Sequence, residues 1–104
     1  MKRTVYLTGK TTGDEFYLAK FLKAQRALED AGYIVLSPAM WPKGFTWEQY
    51  MRMDAAMLEA CEAACFLPDW TESRSARIEH MLAELSGKEI NYYAQWLEER
   101  GHAV

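Results

Sequence analysis

Two carboxylates in this 104-residue chain occupy positions that ordinary surface acids do not. Asp54 falls in a stretch where Tyr50, Met53, Met57, Leu58 and Cys61 recur at helical spacing. It lies four residues after Tyr50 and three before Met57, on the apolar face. A carboxylate there is costly unless it is paired or faces a cleft. Asp54 is therefore a candidate site residue, with a bond to a backbone N–H, Arg52 or Arg77 as the plain alternative. Glu79 stands about one turn into a later predicted helix, beside the inward position of Ile78. With Ser75 as the helix cap, a reciprocal capping acid would fall at position 78, which is isoleucine. Glu79 is thus either a site carboxylate or a surface acid favoured by the helix dipole.

Other residues could hold an anion or a flat ring. Gly9-Lys10-Thr11-Thr12-Gly13 lies between a predicted strand and a predicted helix. Its backbone N–H groups, threonine hydroxyls and Lys10 can hold a phosphate. The Walker A spacing is absent, and an ordinary strand-to-helix turn remains the alternative. Ser73 and Ser75 bring hydroxyls to the start of the Glu79 helix, and Arg74 and Arg77 add positive charge. Trp41 and Trp70 sit in loops, where each can stack on a base or pack into a core or interface. His80 and the acids Glu59, Glu62, Glu84, Glu98 and Glu99 read as helix-surface residues.

The elements that must position these groups alternate. Thr4–Thr8 predicts a strand, and Asp14–Ala31 a helix with Leu18, Phe21, Leu22, Gln25 and Leu28 at its spacing. Tyr33–Ser37 predicts the next strand, and Ala39–Phe45, broken by proline and glycine, a loop. Thr46 and Gln49 form a capping box for a helix reaching about Cys61. Ala63–Leu67 predicts a third strand, and Asp69–Ser75 a polar loop. Ala76–Ser86 predicts a helix with Ile78, Leu82 and Leu85 inward. Glu89–Tyr93 fits a final strand or the start of a last helix over Ala94–Arg100. The expected fold is α/β: one domain over 1–104, a flavodoxin- or Rossmann-like three-layer sandwich with a parallel sheet of four or five strands. Ligands in such sheets bind beyond the carboxyl ends of the strands. That nominates the loops at Gly9–Gly13, Pro38–Phe45 and Pro68–Ser75.

Composition narrows the partners. The net charge is −3, and no block of five basic residues occurs, which argues against a nucleic-acid polymer. No run approaches the about 18 apolar residues of a membrane span, and the start is not a signal peptide. Cys61 and Cys65 have no histidine at metal-ligand spacing and read as reduced, buried thiols of a cytoplasmic protein. No metal site and no cofactor is expected.

Four segments carry a resemblance. They are Val5-Tyr-Leu-Thr-Gly-Lys-Thr-Thr-Gly13, Gly32-Tyr-Ile-Val-Leu-Ser-Pro-Ala39, Trp47-Glu-Gln-Tyr-Met-Arg-Met-Asp54 and Leu67-Pro-Asp-Trp-Thr-Glu-Ser-Arg-Ser-Ala-Arg-Ile-Glu79. In this order the chain resembles the nucleoside 2-deoxyribosyltransferase-like superfamily. It is most similar to a small branch frequent in bacteria and phages, domain of unknown function 4406. The resemblance implies that Glu79 attacks the anomeric carbon of a deoxyribosyl group, Asp54 protonates the leaving base, and Tyr6 orients the nucleophile. Ser73 at its position implies a 5′-phosphate rather than a free 5′-hydroxyl. The substrate-binding set is then Gly9, Lys10, Thr11, Thr12, Gly13, Trp41, Trp70, Ser73, Arg74 and Ser75.

The implied activity is a nucleotide N-glycosidase, with a non-catalytic nucleotide-binding or nucleotide-sequestering module as the alternative. The implied partners are a small nucleotide and further copies of the chain, as a homodimer or larger. The pattern also departs from the branch. Lys10 and Thr11 replace proline and methionine, Ser75 replaces glycine, Asp69 replaces glycine and Glu62 replaces aspartate. Asp69 and Glu62 are expected to bring negative charge toward a phosphate pocket, and Ser75 to crowd it.

Overall fold

The computed structural model of the protein describes residues 2–102. Five strand-forming residues open it as β1 (Thr4–Thr8), followed by α1 (Tyr17–Asp30) and β2 (Ile34–Leu36). A short 3₁₀ turn at Pro38–Met40 leads to α2 (Trp47–Ala60) and β3 (Ala63–Phe66). A second such turn at Trp70–Glu72 precedes α3 (Arg74–Leu85), β4 (Glu89–Tyr92) and α4 (Tyr93–His102). The four strands lie in the order β2-β1-β3-β4 and all pair in parallel. Of the two readings of the Glu89–Tyr93 segment, the strand holds for Glu89–Tyr92, and only Tyr93 opens α4.

The period of two along β1 divides the core. Val5 and Leu7 face Phe21, Ala24 and Leu28 of α1, with Tyr93 and Trp96 of α4 packed alongside. Tyr6 faces the opposite layer, with Met57 and Leu58 of α2 and Ala83 of α3. Helices therefore cover both faces, and the order of strands reverses beside β1, at the centre of the sheet. In such a sheet the crevice for a ligand opens beyond the carboxyl ends of the strands flanking the reversal, here β1 and β3. No helix among the described residues is long and apolar enough to cross a membrane.

Three expectations are corrected. Helix α1 starts at Tyr17 rather than Asp14. The Asp14 carboxylate accepts from Phe16 N and from Lys20 Nζ, so it holds a turn outside the helix. Leu18 and Leu22 are 54% and 45% exposed, because the face pressed on the sheet runs through Phe21, Ala24 and Leu28. Small Ala24 lets the helix approach where a larger residue would hold it off. In α3 the same logic applies. Ala76, Glu79 and Ala83 line the sheet, while Leu85 is 79% exposed. That helix is capped by Ser73, whose Oγ accepts from Ala76 N at 3.1 Å, and not by Ser75.

Lys20 fastens the loops after β1 and β3 to each other. Its ammonium donates to Asp14, to Asp69 and to the Lys10 carbonyl at 2.8 Å. Asp69 also accepts from Lys10 N at 3.0 Å. Asp69 is thus neutralised by Lys20 instead of facing an anion pocket. Glu62 pairs with Arg3, a residue just before β1, on the edge opposite the crevice.

Gly9 sits where β1 leaves the sheet, and its neighbours explain it. A Cβ there would stand 2.7 Å from Leu67 Cβ and 3.0 Å from Asp69 Oδ1. Glycine is required first by close packing of two chain segments. Gly9→Ala is expected to lower stability by about 1–3 kcal/mol, the usual cost of overpacking. Urea unfolding measures it. A loss below about 0.5 kcal/mol, the range of a neutral surface change, would show that Leu67 yields freely.

Candidate active site

Beyond the carboxyl end of β1, a cavity of about 230 Å³ opens between the two layers of loops. Its floor holds both suspected carboxylates, brought by different helices. Asp54 comes from α2 and Glu79 from α3, and they are 4% and 1% exposed. Thr8, on the strand face shared with Tyr6, donates from Oγ1 to Glu79 Oε1 at 2.7 Å. Among the described residues Glu79 Oε2 has no hydrogen-bond partner of ordinary geometry, although Tyr6 and Asp54 lie near enough to perturb this carboxyl. Asp54 Oδ1 accepts from the Trp41 indole Nε1–H at 2.9 Å. The expected alternatives for Asp54, Arg52 and Arg77, do not reach it. Among the described residues neither carboxylate has a cation within ion-pair distance.

Burial without a cation fixes the electrostatics. It pushes Glu79 up to about 8, further raised by the negative charge of Asp54 and opposed by the Thr8 hydroxyl. Burial likewise raises Asp54 to about 6, with the Trp41 N–H pulling the other way. Near neutral pH the pair therefore holds about one proton between two carboxyl groups. Tyr6 lies wholly buried beneath them, with its hydroxyl unpartnered. Its phenol is held in the neutral form by burial and by both acids. Two buried acids with poised protonation at a crevice are what acid–base chemistry needs and what a merely structural role does not.

The structure gathers most of the residues expected at the site and separates some. Gly9, Thr11, Thr12, Trp41 and Ser75 line the cavity with Asp54 and Glu79. Lys10, Ser73 and Arg74 line a neighbouring hollow of about 320 Å³, which shares Thr12, Trp47 and Ser75 with the first. Gly13 lies outside both, in an exposed turn at φ +80°. Trp70 is also outside both. The 3₁₀ turn after Pro68 carries its indole over Phe66 and flat against His80, with ring centroids 4.1 Å apart. His80 is held by Glu84 and the Tyr92 hydroxyl, in keeping with a packed surface residue.

Sequence reasoning missed Thr8, Tyr17, Lys43, Trp47 and Tyr50 as cavity residues. Thr8 carried a readable signal, since alternation puts it on the same strand face as Tyr6. Trp47 opens one of the four resembling segments, but its role at the cavity depends on where α3 begins. Its indole donates to Ser75 Oγ at 2.8 Å, and the Arg74 guanidinium stacks on it at 4.1 Å. Among the described residues no group of three or more His, Cys, Asp or Glu is placed to hold a metal ion.

The parallel sheet with helices on both faces defines a Rossmann-like α/β fold. The chain belongs to the family described as Domain of unknown function (DUF4406), which matches residues 3–92. Among curated proteins none matches it. Its fold is similar to a solved structure, the 2-desoxiribosyltransferase from Leishmania mexicana, with a TM-score of 0.69 and 15% identity. The alignment covers 86% of this chain and 63% of that one, so this chain spans less than two thirds of its length.

The raised acids make stability depend on pH. As pH rises from about 4.5 toward 8, the unfolded chain releases the Glu79 proton while the folded chain retains it. Folding stability contributed by the neutral acid is full below that window and is lost across it, by up to roughly 1.4 kcal/mol per pH unit. Glu79→Gln removes this dependence and keeps an oxygen for Thr8. Its melting temperature is expected to gain on the parent as pH rises from 5 to 9. A gap that stays constant would mean that Glu79 titrates normally.

Proposed function

We propose that this protein is a nucleotide N-glycosidase that cleaves the bond between base and sugar in a (deoxy)nucleoside 5′-monophosphate. The observation that carries the reading is the pair of buried carboxylates, Glu79 and Asp54, at the floor of an aromatic-walled cavity. A base nitrogen placed against Asp54 draws the shared proton to that side and leaves Glu79 ionised. Glu79 Oε2, without a hydrogen-bond partner of ordinary geometry, attacks the anomeric carbon. The C–N bond breaks, its electron pair goes to the base, and Asp54 supplies the proton that neutralises it. A glycosyl ester on Glu79 results. Water then attacks the same carbon, Asp54 takes its proton, and Glu79 is released, as in retaining glycosidases. The products are the free base and a sugar 5-phosphate. Thr8 holds Oε1 throughout, which fixes the direction of attack. Trp41 anchors Asp54 and offers its ring to the base.

A second reading is favoured by one observation. Deep burial raises the proton affinity of Glu79, the intended nucleophile. A pocket that never transfers that proton would be a nucleotide-binding module without turnover. The exposed pairs Leu18 and Leu22 on α1 and Met81 and Leu85 on α3 support self-association into a dimer or larger assembly. Two free, buried thiols support a cytoplasmic setting.

Incubation with the deoxynucleoside 5′-monophosphates is expected to release free base, read by chromatography. Glu79→Ala should abolish release, and Asp54→Asn should slow it about 10²–10⁴-fold. The rate should peak between about pH 6 and 8, where the pair holds one proton. Saturable binding with no base released from any nucleotide would establish the second reading instead.

A further inference from the structure

The two hollows share three lining residues. Trp47 is the first residue of α2, and with Thr12 and Ser75 it forms the wall common to both. Its indole contacts α3 in two ways. The N–H edge donates to Ser75 Oγ, and the ring face carries the Arg74 guanidinium. The inner hollow holds the two acids, whereas the outer one holds Lys10 and Arg74 together with a single acid, Glu72. These two cations are not equivalent. Lys10 is drawn to Glu72 at 3.6 Å, while Arg74 makes no ion pair among the described residues.

Stacking leaves the guanidinium's donors free. They lie in the plane of the group, so a guanidinium flat on a ring still presents a fork of N–H bonds at its edge. That fork matches the spacing of phosphoryl oxygens. Ser75 contributes in the same direction. Its oxygen accepts from Trp47, which leaves its own O–H to donate. The serine that replaces glycine thus serves as the anchor of the indole.

We infer that Trp47 is the specificity-determining residue of this site: its indole divides a chamber for the glycosidic bond from a chamber for a phosphoryl group, and it positions Arg74 and Ser75 to bind that group. The inference rests on the nucleotide reading above and adds how the phosphate is told from a bare hydroxyl. Lys10 contributes less, because Glu72 offsets it. The acids of the inner chamber repel a phosphate and favour its placement on the far side of the indole.

The test compares each 2′-deoxynucleoside 5′-monophosphate with its matching nucleoside. Binding is titrated by calorimetry to the full chain carrying Glu79→Gln, so that nothing is consumed. The nucleotide is expected to bind at least about tenfold tighter, as a charge-assisted hydrogen bond supplies. Arg74→Ala should remove about tenfold of that preference and leave nucleoside affinity unchanged. Trp47→Ala should remove as much, and the double variant no more, since the two act as one unit. Trp47→Phe, which keeps a ring for Arg74, should retain most of the preference.

If Trp47→Ala does not fold, Arg74→Ala and Trp47→Phe still decide the matter. Equal losses for nucleotide and nucleoside, additive losses in the double variant, or no preference for the nucleotide would each overturn the inference. Base release by the chain with Glu79 intact separates the two claims. Arg74-dependent preference without release leaves this inference standing and sinks the glycosidase. Release that is indifferent to Arg74 does the reverse.

Discussion

Two carboxylates buried side by side without a cation are the constraint around which the structure is arranged. Such a pair is tolerated only where hydrogen-bond donors and a shared proton relieve it. The donors come from two different segments, Thr8 from β1 and Trp41 from the loop after β2. Each must arrive at the same end of the sheet, and the parallel order β2-β1-β3-β4 brings them there. Small residues make the approach possible. Ala76 and Ala83 let α3 lie against the sheet so that Glu79 between them reaches Thr8. An apolar side chain in place of Glu79 would pack as well or better, so the acid is retained at a cost in stability.

The substitutions that set this chain apart from its branch compensate one another. Asp69 would intrude on an anion pocket if left alone, but Lys20 takes its charge. Ser75, where the resembled branch carries glycine, receives the Trp47 N–H and so joins α2 to α3. Lys10 faces Glu72 across the outer hollow. Read singly, these residues suggest a decayed pocket; together they form a closed set of pairings around an intact floor.

Much of this was legible in the sequence, for reasons that differ by residue. Asp54 and Glu79 stood out because each breaks a pattern that physical chemistry otherwise enforces, an acid on an apolar stripe and an acid no cap explains. The strands announced themselves through short apolar runs ended by glycine or proline. The helix faces were harder. Helical spacing alone points Leu18, Leu22 and Leu85 inward, yet the face on the sheet includes the alanines Ala24, Ala76 and Ala83, whose small size allows close contact. Trp70 was illegible for another reason. A tryptophan after a strand can turn either way, and the turn at Trp70–Glu72 sent it toward His80. Trp47 depended on the true start of α3, set by Ser73 two residues ahead of the expected cap.

The tie made by Lys20 has a further meaning for how the pocket meets a ligand. One partly buried ammonium holds the Lys10 carbonyl, Asp14 and Asp69 together, and so locks the loop after β1 against the loop after β3. The rim on that side is already ordered before anything binds. The conformational entropy of two loops is spent during folding, not at association, so a ligand meets a preorganised edge and keeps more of its binding energy.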